Sequence, residues 1–171
     1  REPLRLQEKD FDDLVKKYMM QPPSVGASAG GLGLTVEFPY GDESSLCQFF
    51  GDQDHPLHGN GLLIVQRFPY RAPSVADGIR FALELNREEL TGNPTGYGFG
   101  SYVYVDDMLC FNAFLPNLLL RDGVAPSMYF SCGNRARLMS NRLTGQDWDE
   151  NSFSLDRSAL GRAVLAGEEE Q

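Results

Sequence analysis

The sequence predicts an α+β fold, a five-stranded antiparallel sheet with helices packed on it, and three observations carry that expectation. Leu32, Leu34, Val36 and Phe38 alternate with Gly33, Thr35 and Glu37, the period of two of a strand with one buried face. Residues 97–105 and 109–115 are aromatic and β-branched runs separated by the short polar break Asp106-Asp107-Met108, which reads as a hairpin. Apolar residues recur at helical spacing at the start, middle and end of the chain, which gives the order α-β-β-β-α-β-β-α and segregates helices from strands.

The elements follow in order. A first helix is expected over residues 8–20, where Phe11, Leu14, Val15, Tyr18 and Met19 form an amphipathic stripe that Pro22 and Pro23 end. Residues 24–31 are Ser, Gly and Ala with one Val, the composition of a flexible connector. After the first strand and the Gly41-Asp42-Glu43 turn, a shorter strand is expected at residues 46–50. A polar loop follows at 51–61, then a strand at 62–68 that is apolar on both faces over its first half.

Ser74, with Asp77 three residues on, starts the middle helix, and Gly92 with Pro94 stops it. Ile79, Ala82, Leu83, Asn86 and Leu90 are its expected inward face. The last helix has Pro126 near its first turn and Gly145 at its end, and places Met128, Tyr129, Cys132, Ala136, Met139 and Leu143 on one side. Residues 1–145 are expected to form one domain. Residues 146–171 are an acidic C-terminal extension, either a short docked helix at 154–166 or a tail.

Hydrophobic residues make up 42% of 171, enough for one core without metal or disulfide staples. A net charge of −9 repels phosphate backbones and anionic lipid, so nucleic acid and membrane are not expected partners. Cys47, Cys110 and Cys132 are odd in number and have no C-x-x-C spacing, which argues against a disulfide framework or zinc site. With no apolar run of about eighteen residues and no charged-then-apolar leader, a cytoplasmic location is expected.

Chemistry-bearing clusters are sparse. Asp52, Asp54, His55 and His58 carry ligand-type side chains, but they lack the i, i+4 helical spacing of zinc helices, so no metal is expected. The same loop is the only source of histidine for a hydrolase or metal-dependent enzyme, and no G-x-S-x-G elbow accompanies it. Gly26 and Gly31 have phosphate-loop spacing, yet Leu32 and Gly33 stand where Lys and Ser/Thr are needed. No catalytic residue and no cofactor are therefore expected. Candidate partner-binding residues are Phe81 and Leu85, off the expected inward line of the middle helix, with Phe130, Arg135 and Arg142 on the last helix.

Leu85-Asn86, residues 96–101, the hairpin 102–114, Leu115-Pro116 and Asn134-Arg135-Ala136 resemble the superfamily of type III secretion chaperones and YbjN-like proteins. The similarity runs over about residues 8–145 and is greatest at 83–116. It implies a non-catalytic module that offers an apolar surface to another protein, either an effector or a regulated partner, and that forms a homodimer.

Overall fold

The computed structural model describes residues 24–28, 31–91, 100–119 and 124–148. Six strands form one sheet: β1 (Ser24–Ser28), β2 (Gly31–Tyr40), β3 (Glu43–His55), β4 (Gly59–Pro69), β5 (Ser101–Val105) and β6 (Met108–Pro116). Helix α1 (Val75–Leu90) lies between β4 and β5 in the chain. A 3-10 turn (Asn117–Leu119) then leads to α2 (Val124–Thr144). The strand order is β1-β2-β3-β4-β6-β5, and every pairing is antiparallel. The α+β class and antiparallel sheet are as the sequence predicts. The expected helix at 8–20 and the segment 154–166 fall outside the described residues.

Two stretches differ from expectation. Residues 24–28, expected as connector, pair with β2 from Ser24↔Thr35 to Ser28↔Gly31 and add a sixth strand at the edge. Such an edge strand is specified by backbone pairing, which leaves no apolar period to read. Residues 51–61, expected as a polar loop, instead extend β3 and β4 toward a turn at 56–58. The register shifts at a bulge between Phe50 and Gln53, where Asp52 adopts φ 56, and residues 51–55 and 59–61 carry no apolar side chain, so no alternation marks these strand ends.

The β5–β6 turn is made by Asp106 and Asp107, with φ 50 and 56, the left-handed pair of a type I′ hairpin. Inward residues of adjacent strands stack in rows. Phe38, Phe49, Ile64, Phe68, Leu109 and Phe111 are buried on the face that receives α2, which lays Tyr129, Cys132, Ala136 and Met139 onto them. The end of the described chain belongs to this core as well. Trp148 stacks on Phe38 with ring centroids 6.1 Å apart, and its Nε1 donates to Pro39 O at 2.7 Å. An extension starting at residue 146 therefore begins as part of the core.

Candidate partner-binding surface

Helix α1 starts where Ser74 caps it: the Ser74 hydroxyl accepts from Asp77 N at 3.1 Å and donates to Asp77 Oδ2 at 2.7 Å. It then rests on β5 through small and polar residues. A Cβ at Gly78 would overlap the Tyr104 ring, so only glycine admits this approach. One turn from the end, the Asn86 side-chain amide bonds both backbone groups of Tyr102, at 2.6 and 3.0 Å. The buried face of α1 is Gly78, Ala82, Leu85 and Glu89.

Glu89 is matched from α2. Arg135 Nε and Nη2 donate to Glu89 Oε1 at 3.2 and 3.0 Å, both residues being buried, and the guanidinium lies 3.5 Å above the Phe111 ring centroid. The Tyr102 hydroxyl also donates to Glu89 Oε1, at 3.4 Å. Burial opposes the charge on Arg135, but Tyr102, Cys132 and Glu89 more than offset it and hold the guanidinium above its ordinary value. Burial pushes the Tyr102 phenol up. At the rim, Arg142 pairs with both oxygens of Glu88 at 2.7 and 3.0 Å and lies 5.1 Å from the Phe81 ring centroid.

These contacts correct three of the five residues that the sequence proposes for partner binding. Leu85 and Phe130 are core residues, and Arg135 is the buried half of an ion pair, so none of them faces solvent. Phe81 is half-buried, its ring 5.3 Å from Tyr70. Arg142 is exposed, and the bonds it makes hold α1 to α2. The buried face of α1 is also rotated by about a quarter turn from the expected one. Of the residues expected inside, Ala82 is buried and Asn86 half-buried, whereas Ile79 is 48% exposed, Leu83 63% and Leu90 76%.

One flank of what this helix presents to solvent is consequently apolar. Val75, 68% exposed, stands one turn before Ile79 and two before Leu83, with Leu90 further along the same side. Asn86 falls within this line and reaches the backbone of β5, the last strand of the sheet, so the stripe runs along the flank of α1 at that edge. Val103 and Val105 of β5 are half exposed beside it on the opposite sheet face. No protein-family model matches the chain, and neither a curated protein nor a solved structure matches it. The surface must therefore be read from its own chemistry.

The histidine segment is a turn in which one nitrogen of His55 and one oxygen each of Asp52 and Asp54 are engaged. His55 Nδ1 accepts from Leu57 N and His58 N at 3.1 and 3.2 Å, while the two imidazoles stack with centroids 4.5 Å apart. Asn60 Nδ2 donates to both Asp52 and Asp54, at 2.8 and 3.0 Å, and Asn117 donates to Asn60 at 2.7 Å. These side chains close the β3–β4 end of the sheet. All three cysteines are buried; burial pushes the Cys47 and Cys110 thiols up, while the hydrogen bond with Cys47 holds the Cys132 thiol down. Among the described residues no helix is long and apolar enough to cross a membrane.

Proposed function

We propose that this chain is a non-catalytic protein-binding module whose docking surface is the outer flank of α1, and that its first partner is a second copy of itself. The carrying observation is the line Val75, Ile79, Leu83 and Leu90, four large side chains about half exposed or more along one flank of a helix whose neighbouring face, Gly78, Ala82, Leu85 and Glu89, is buried. Exposed apolar area of this kind marks an interaction site. A two-fold dimer needs only one self-complementary patch, and Leu83 at mid-helix is a natural centre for an antiparallel crossing.

The resemblance to type III secretion chaperones supports a polypeptide effector as the further partner, and the YbjN-like side supports a regulated protein instead. The net charge of −9 speaks against nucleic acid in either case. Leu83→Asp separates these readings from an inert surface. The unchanged chain is expected to scatter light as a dimer and the variant as a monomer with the same secondary structure by circular dichroism and a melting temperature that no longer depends on concentration. Effector and regulated partner differ in what the dimer does with a bound protein: an effector is held in a state that refolds on release, whereas a regulated enzyme changes its rate. A chain that is monomeric before and after the substitution would overturn the dimer.

A further inference from the structure

Asn86 projects from α1 with its amide turned to the outer edge of the sheet. Its Nδ2 donates to Tyr102 O at 3.0 Å, and its Oδ1 accepts from Tyr102 N at 2.6 Å. That is the pair of bonds a neighbouring strand would make. Among the described residues β5 has one strand neighbour, β6, paired with it from Ser101↔Asn112 to Val105↔Met108. In an antiparallel ladder successive residues direct their N–H and C=O groups alternately to the two sides. Tyr102 therefore turns both groups away from β6, and the same alternation directs those of Gly100 and Tyr104 outward.

We propose that Asn86 stands in for one rung of a seventh strand and closes the β5 edge to strand addition. A second copy or partner arriving at this end must then dock on the side chains of α1 instead of extending the sheet. Position makes a single amide sufficient. Tyr102 is the middle outward rung, so occupying it separates Gly100 from Tyr104 and leaves no two consecutive rungs for an incoming strand. The need for closure is also local, because exposed strand edges template pairing with other chains and β5 carries two half-exposed valines. The inference rests on the protein-binding reading only for the identity of the docking copy; the edge closure stands on its own geometry.

The rival is a simple tether, in which the same two bonds merely fasten α1 to β5. Amide hydrogen exchange on the full chain, with light scattering across a concentration series, distinguishes them. In the unchanged protein the Tyr102 amide is expected to be protected. In Asn86→Ala it should exchange roughly tenfold faster, as the loss of a single such bond implies. Assemblies larger than those of the unchanged protein should then appear and grow with concentration, with an intermolecular β signature in the infrared. Adding Val103→Lys, a charge on the edge strand, should reverse the growth.

Asn86→Asp keeps the acceptor for Tyr102 N–H and is expected to preserve both protection and size. Asn86→Ser, too short to span both groups, repeats the test if the alanine variant does not fold. Fast Tyr102 exchange in the unchanged protein, or a variant that loses protection without gaining larger assemblies, would overturn the proposal. A dimer abolished by Leu83→Asp with Tyr102 exchange unaltered bears on docking alone, so the two readings fail separately.

Discussion

Tyr40 shows how single residues set the response of this fold to pH. Its hydroxyl donates to Pro69 O at 2.9 Å, and burial, with Glu43 and Tyr70 adding to it, pushes the phenol up to about 12. The folded state thus holds a proton that the unfolded chain releases near 10. Stability is intact below that value and falls as pH rises toward 12. Tyr40→Phe should lose about 1 kcal/mol at neutral pH for the missing hydrogen bond and show a shallower decline above pH ~10. Urea unfolding across that range checks it, and identical alkaline slopes would refute the assignment. Arg135 makes the opposite point about polarity. Arg135→Met should cost about 3–5 kcal/mol by leaving Glu89 buried without its partner, and adding Glu89→Met should recover most of it; additive losses would count against this. The pair was legible in principle. Arg135 lies three residues after Cys132 and four before Met139, and Glu89 four after Leu85, so two opposite charges stand at core spacing. Arg135 was read as surface because charge outweighed position.

Among elements, strands with one apolar face were easier to read than those without. Val36 and Phe38 of β2 announced themselves by alternation, as did the β5–β6 hairpin around Asp106 and Asp107. β1 has little to bury and β3 breaks period at Asp52, so backbone pairing determined both beyond the reach of a hydrophobic pattern. Helix α1 is rotated from its expected face for a physical reason. Close approach to β5 is achieved with Gly78 and Ala82, which carry too little apolar surface to outscore Ile79 and Leu83 on a helical wheel. The proposed surface residues followed that rotation, so Leu85 was placed outside and Leu83 inside. Gly78→Ala tests the account. Alanine at an ordinary helix site gains roughly 1 kcal/mol, but here the methyl meets the base of the Tyr104 ring, and a net loss of about 1–3 kcal/mol is expected. A stabilised variant in thermal unfolding would show that α1 is not seated as described.

For the whole molecule, association has to overcome a charge of −9 on each copy. Repulsion between like-charged chains weakens as salt shortens the screening length from about 10 Å at 0.1 M to 3 Å at 1 M. The apolar attraction of an α1 flank does not weaken with it. The dimer should therefore tighten with sodium chloride, opposite to an interface held by ion pairs, and dissociation constants from dilution at two salt concentrations test this. Local charges favour the proposed contact, because Arg80 and Arg87 alternate with Glu84 beside the stripe and spare it a single sign. Intramolecular cover by the apolar residues Leu155, Leu160 and Val164 is the competing arrangement, and a chain ending at Trp148 distinguishes it while keeping the indole on Phe38. If α1 meets α1, the shortened chain remains a dimer and Leu83→Asp makes it a monomer. If those residues provide the cover, the full chain is a monomer and shortening it produces the dimer. A monomer in both lengths at every salt concentration would leave the Val75–Leu90 stripe exposed without a function in self-association, and the proposed docking surface would fall with it.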